Sequence, residues 1–307
     1  MGKTFNLRSD ELEVLVRIPD DRLHNSRFDQ SAFVEQIVLH GRHVFCEPEQ
    51  KIGSRINTGG RGLCGEFVWN KLAEEALPGE NFPKFGVGIL KQRPDGGAFD
   101  IFYRYEGRSF TNLYDYQKDK ALFIQQPEIC LGTAAKITRE LCVDGRKLIL
   151  HSTVENTGNR PIRMEEYQHN FVSLDGYPVG PGYTLFLPFF HENGLIERLY
   201  PIEAKSVPSN VMFAENGCVH WNSSLDGCGF FLNIEGIPEI VPQEWSLWHE
   251  KTPAWMKERV SVKPKRAVVW GVEHCICTEL FVPVVAEPGE RCMWTRMWEF
   301  GDELPCF

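Results

Sequence analysis

No apolar run in this chain of 307 residues is long and clean enough to cross a bilayer. The most apolar stretch, Ala267 to Ala286, is interrupted by Glu273, His274 and Glu279, and a spanning helix needs about 20 apolar residues in succession. Runs of Lys and Arg are also lacking: 33 basic residues stand against 42 acidic ones, a net charge of −9, which disfavours a broad nucleic-acid footprint. The ten cysteines are scattered and none forms a Cys-x-x-Cys pair, the strong zinc or redox spacing. The opening residues, Met1 to Asp10, contain no apolar signal-peptide core, so a reducing, cytoplasmic setting is expected. His-Glu-x-x-His, Gly-x-Ser-x-Gly and Gly-x-x-x-x-Gly-Lys-Ser/Thr are all missing, which disfavours the common metalloprotease, hydrolase and nucleotide-loop chemistries. No strand-helix-strand cadence, internal repeat or low-complexity linker divides the chain, and a single domain over 1–307 is expected.

What is present is enough apolar material for a large core, 42% of residues, arranged mostly in short alternating runs. Glu11–Ile18 and Phe33–His40 read as early strands, and Glu47–Gly65 as a loop. Ala135–Val143, Asp144-Gly145 and Arg146–Val154 read as a hairpin, which a turn at Asn156–Pro161 continues into Ile162–Phe171 as an antiparallel meander. Gly229–Glu235, Arg266–Leu280 and Cys292–Phe300 are later strand candidates, and Gln243–Lys265 reads as an irregular cover over one edge. Helical signals are confined to Phe67–Ala76 and Pro253–Glu258. The fold class expected is all-β, a large antiparallel β-sandwich with short helical excursions, because two packed sheets bury alternating apolar faces that one open sheet would expose.

Two strings carry candidate chemistry. In Glu165–Phe171, strand alternation groups Tyr167, His169 and Phe171, so that an aromatic floor supports a sugar ring within reach of an imidazole; an ordinary histidine bonded within an aromatic core gives the same string. In Glu273–Phe281, alternation groups Glu273, Cys275, Cys277, Glu279 and Phe281, and a glutamate among small or apolar neighbours suits a general base; a charged rim is the plainer reading. His43, Arg61 and Lys84 are candidates for a local positive cleft, and Phe82, Phe85, Trp245, Trp248 and Trp255 for sugar-stacking rim residues or core fillers. His274, Cys275 and Cys277 form only a weak zinc pattern.

Gln168-His169-Asn170-Phe171, Cys277-Thr278-Glu279-Leu280 with Pro283, and Glu287–Thr295 with Trp298-Glu299-Phe300 together resemble the aldose 1-epimerase, or galactose mutarotase-like, superfamily. The likeness extends over most of the chain in layout and is specific in these stretches, although no segment reads Leu-His-Gly-Gly as the family's earlier sugar-contact motif does. The resemblance implies a β-sandwich with a carbohydrate cleft, with His169 and Glu279 as catalytic acid and base, and with Gly289-Glu290 as the entry turn of the last strand. It implies anomer interconversion of a free or modified monosaccharide without metal or cofactor, with Arg61, or alternatively Arg55, as a substrate contact; Lys84 from the positive cleft and Tyr167 from the aromatic floor are further substrate-contact candidates. A noncatalytic carbohydrate-binding or sugar-sensing protein using the same cleft is the main alternative, and glycoside cleavage by two carboxylates a further one.

Overall fold

The computed structural model describes residues 2–20, 22–23, 25–51, 58–190, 200–201, 212–215, 217–225, 229–239 and 242–303. Among them, two ten-stranded antiparallel sheets and one three-stranded sheet account for the strands. The first sheet runs Thr4–Arg8, Leu12–Arg17, Val34–Leu39, Gly62–Val68, Ile162–Phe171, Cys275–Ala286, Arg266–Val272, Gly229–Glu235, Tyr200–Pro201, with His43–Val44 beside Val34–Leu39. The second runs Met212–Glu215, Cys218–Trp221, Tyr183–Phe186, Glu244–His249, Thr252–Val260, Arg291–Gly301, Lys147–Asn156, Ala135–Asp144, Lys120–Gln125, Asn112–Tyr116. Asn81–Lys84, Gly88–Lys91 and Gly107–Ser109 form the small sheet. Apolar residues from both large sheets, among them Leu63, Leu148, Leu150, Ile162, Leu247 and Val284, join in one buried cluster, so the expected sandwich is what forms.

The hairpin pairs Ala135–Asp144 with Lys147–Asn156 and turns at Gly145-Arg146, as its Asp-Gly signal predicts. The expected meander does not continue. Lys147–Asn156 takes Arg291–Gly301 as its other neighbour, and Ile162–Phe171 crosses to the first sheet between Gly62–Val68 and Cys275–Ala286. The physical reason lies in that strand's burial: its last six residues, Glu166 to Phe171, are buried on both faces, which requires cover above and below, while Cys275–Ala286 pairs with it over Ile162–Glu166 and Gly62–Val68 over Glu165–Phe171.

Four further expectations are corrected. Pro253–Glu258 is extended, within Thr252–Val260, because Ala254, Met256 and Glu258 alternate inward with period two. The segment expected to be irregular from Gln243 therefore contributes two paired strands, Glu244–His249 and Thr252–Val260. Arg266–Leu280 is a hairpin rather than one strand, reversing at Glu273-His274 so that Val272 faces Cys275. Near Phe67–Ala76 only Asn70–Glu75 is helical, burying Leu72 and Ala73. No helix among the described residues is long and apolar enough to cross a membrane.

Candidate active site

Side-chain alternation along Ile162–Phe171 sends Tyr167, His169 and Phe171 to the face of the first sheet that points away from the second, and Glu166, Gln168 and Asn170 to the face between the sheets. Register then supplies the outward neighbours: Cys64 lies opposite His169 and Glu66 opposite Tyr167. On the other side, Cys275–Ala286 brings Cys277 and Glu279 to the same outward face.

The imidazole of His169 is held at both nitrogens. Nδ1 lies 2.6 Å from Glu279 Oε1 and Nε2 lies 3.0 Å from Glu66 Oε2. Two carboxylates on two ring nitrogens call for two N–H donors, the imidazolium form. Burial alone would lower the proton affinity of His169; the charge of Glu279 and the bonds to Glu279 and Glu66 outweigh it and raise it. The ring is stacked on Phe171, with centroids 5.1 Å apart, and meets Phe28 edge-on. His169 is 1% exposed and Glu279 6% exposed. The Cys277 thiol, pushed well above its usual range by burial and the nearby Glu279 charge, is neutral and donates to Glu279 Oε1 at 3.2 Å.

Glu66 is the electrostatic hub. Its Oε2 accepts from Tyr167 Oη at 2.6 Å and from Arg27 Nε at 2.8 Å, and its Oε1 accepts from Lys84 Nζ at 2.8 Å. Burial would push this carboxyl up, but the charges of Lys84 and Arg27 and the bond from His169 hold it well below the usual carboxylate range. Lys84, whose proton affinity is lowered by burial against the opposing pull of Glu66, also donates to Phe67 O at 2.6 Å. Arg27 reaches on to Glu49 Oε1 at 2.9 Å, and the hydroxyl of Thr58 caps Glu49. Asn25 Oδ1 shapes the loop that delivers Arg27 by accepting the backbone N–H groups of Arg27 and Phe28. Asp29 N–H bonds Gly65 O at 2.7 Å, and Gly86 lets that loop close down, since a Cβ there would lie 2.9 Å from Asp29 Cβ.

Of the sequence-predicted residues, the structure brings together His169, Glu279, Tyr167 and Lys84. Tyr167 stacks on Phe281 at 4.0 Å, and its hydroxyl, like the Lys84 ammonium, is engaged by Glu66. Arg61 is not brought to this cluster: it precedes Gly62 on the strand edge and its Nε donates to Glu35 O at 3.1 Å. Arg55 lies outside the described residues. The expected His43, Arg61 and Lys84 cleft does not form, since His43 Nδ1 pairs with Asp175 at 2.8 Å, a carboxylate bonded also by Thr252. Phe82, Phe85 and Trp245 are core residues, Trp245 donating to Glu258 at 2.7 Å, while Trp255 donates to Glu303 O. Trp248 lines a separate cavity of about 500 Å³ with Tyr183 and His249. Glu273 leaves the strand face for an exposed pair with Lys51, and His274 turns to Pro48 O at 2.8 Å, away from Cys277. Glu66, Glu49, Arg27 and Phe28 escaped the sequence reading; a glutamate inside the apolar run Leu63–Trp69 was the available signal.

No family model and no curated sequence match the chain. Solved structures do. A galactose mutarotase-like protein from Lactobacillus casei ATCC 334 is 13% identical with a TM-score of 0.60, covering 97% of this chain and 100% of its own. A galactose mutarotase related enzyme from Lactobacillus acidophilus is 10% identical with a TM-score of 0.60, covering 98% of each chain. An aldose epimerase homologue from C. elegans is 10% identical with a TM-score of 0.50, covering 99% of this chain and 100% of its own. The polypeptide has the galactose mutarotase-like fold along nearly its whole length.

Proposed function

We propose that the protein interconverts the anomers of a free or modified aldose, with Glu279 as base and His169 as acid. The observation that carries this reading is the direct contact of the two groups at 2.6 Å on the outward face of the first sheet. The anomeric hydroxyl and the ring oxygen of a pyranose hang from the same carbon, so the groups that exchange protons with them must be neighbours. The fold shared with the aldose epimerase homologue from C. elegans points the same way.

In the proposed cycle the sugar parts the two side chains. Glu279 takes the proton of the anomeric hydroxyl, and His169 Nδ1 gives its proton to the ring oxygen as the carbon–oxygen bond breaks. Rotation about the first carbon–carbon bond and reversal of both transfers return the other anomer. Glu66 stays on Nε2 throughout and fixes the ring so that Nδ1 delivers the proton. The step converts an imidazolium and a carboxylate into two neutral groups, so no net charge is created in a buried site where charge is costly. Tyr167, Lys84 and Arg27 serve the reaction through Glu66, whose charge they hold in place.

Exchange NMR on a panel of aldoses and modified aldoses tests the reading. Acceleration by the wild-type protein is expected, with Glu279→Gln losing at least about 10²-fold while keeping its circular dichroism. Equal rates with and without protein across the panel would reject it. One observation favours binding without catalysis: His169 and Glu279 already satisfy each other and are almost fully covered. Saturable sugar binding by calorimetry with unaccelerated exchange would establish that alternative.

A further inference from the structure

Cys277 has no part in the proton transfers above, yet its sulfur lies 3.2 Å from Glu279 Oε1 and 4.0 Å from His169 Nδ1. Imidazole nitrogen, thiol sulfur and carboxylate oxygen thus converge from adjacent strands on one point, all three residues buried. We propose that His169, Cys277 and Glu279 form a site for one divalent, thiophilic cation of the zinc type, which competes with sugar for the pair; the competition, though not the metal site, rests on the acid-base reading.

The donor set suits such an ion. Zinc sites that keep an open position take three protein ligands, and tetrahedral bonds of about 2.0–2.3 Å set the donors about 3.4–3.6 Å apart. The present spacings of 2.6, 3.2 and 4.0 Å straddle that range. Moving the Glu279 carboxylate off His169 by about 1 Å and letting Cys277 close in by less completes the triangle. Glu66 already occupies the remaining ring nitrogen, the carboxylate–histidine arrangement that orients a metal-bound imidazole and raises its basicity. A thiolate among the ligands selects zinc-like ions over magnesium or calcium.

Charge balance favours the exchange. With the imidazolium form, Arg27, Lys84 and His169 carry three positive charges against Glu49, Glu66 and Glu279. An entering divalent cation displaces two protons, one from the imidazolium Nδ1 and one from the Cys277 thiol, and leaves the buried cluster neutral as before. Metal and sugar are mutually exclusive because each needs His169 Nδ1 and Glu279 free of the other.

Titration of the metal-free full chain with Co²⁺ under a phosphine reductant tests this. One Co²⁺ per chain with a thiolate-to-cobalt charge-transfer band is expected, displaced by Zn²⁺, with release of about two protons per ion in calorimetry across buffers of differing ionisation enthalpy. The band is expected to vanish in Cys277→Ser and to persist in Cys142→Ser, a half-buried cysteine on the second sheet, both variants retaining wild-type circular dichroism. No band in the wild type, or a band that survives Cys277→Ser, overturns the site. Anomer exchange measured in chelator keeps the two readings apart: exchange in chelator without a cobalt band sinks the metal site alone, and a Cys277-dependent band without exchange in chelator sinks the epimerase alone. Where both hold, Zn²⁺ is expected to inhibit exchange competitively with sugar.

Discussion

Glu66→Gln tests the electrostatic account of the site most directly. The substitution keeps the side-chain volume and an acceptor oxygen but removes one charge from a buried cluster whose positive and negative members balance. Arg27 retains Glu49, but Lys84 loses its carboxylate and keeps the Phe67 carbonyl oxygen and the face of the Phe99 ring. Leaving a buried cation without its carboxylate costs about 3–5 kcal/mol, a large share of the roughly 5–15 kcal/mol that stabilises a typical native protein. The loss has a definite pH signature. With its main stabilising charge gone, the native-state proton affinity of Lys84, already lowered by burial, falls further below that of the unfolded chain. Wherever the unfolded state binds more protons than the native one, stability rises with pH, so the deficit of the variant relative to wild type narrows between about pH 7 and pH 9. Urea unfolding at both pH values measures this, and Glu66→Gln/Lys84→Met, which removes both charges, is expected to recover part of the loss. A deficit below about 1 kcal/mol, or one that widens as pH rises, would refute the argument.

Two further expectations concern the face between the sheets. Arg296, fully buried, lies 2.8 Å from Glu166 and 2.6 Å from Glu258 and donates to Leu280 O at 2.7 Å. Arg296→Met is expected to cost about 3–5 kcal/mol in urea unfolding, and a loss under about 1 kcal/mol would contradict the pairing. Burial would raise the proton affinity of Glu166, but Arg296 and Arg139 outweigh it and hold the carboxyl below its usual value. Its contribution is therefore present above the unfolded-state value near about 4.3 and lost as pH falls through the lower native value. Glu166→Gln is expected to flatten the acid limb of stability against pH; an unchanged limb would show that other carboxylates set it.

Where local pattern decides structure, the sequence was legible. Asp144-Gly145 marks a reversal, Ile162–Phe171 and Gly229–Glu235 alternate, and the structure has strands with those bounds. Alternation also placed Tyr167 beside His169 and Cys277 beside Glu279. Strand partners were not legible, because a turn such as Asn156–Pro161 allows either return to the same sheet or passage to the other. The choice between them depends on which distant strands can bury Glu166–Phe171 on both faces. The same limit hid Glu66 and Arg27: their roles come from long-range register and from a loop, neither of which leaves a periodic trace. Arg61 stands apart from the cluster for a local reason, since it precedes Gly62 and turns its guanidinium to the backbone of Glu35.

Ile162–Phe171 carries two buried polar systems, one on each face, separated by a single layer of backbone. Outward, Tyr167 and His169 meet Glu66 and Glu279. Inward, Glu166, Gln168 and Asn170 join Arg139, Arg296, Glu258 and Trp298, with Asp29 bonded to Arg139. A slip of one residue would exchange the two sets, bringing His169 against Arg296 and Arg139 and Glu166 outward, so each set opposes the misregister that would destroy the other. The inward set includes Asp29, whose neighbours Arg27 and Phe28 form part of the outward site, so the loop is fastened between the sheets through its third residue. It follows that the inward face acts on chemistry through register and loop position. A folded Arg296→Met protein that keeps the fluorescence and circular dichroism of wild type should retain the proposed anomer exchange, losing only what its unfolded fraction removes. A folded variant with normal spectra and a lowered rate per native molecule would mean that charge between the sheets reaches His169 through the backbone layer, and the separation of the two faces would have to be abandoned.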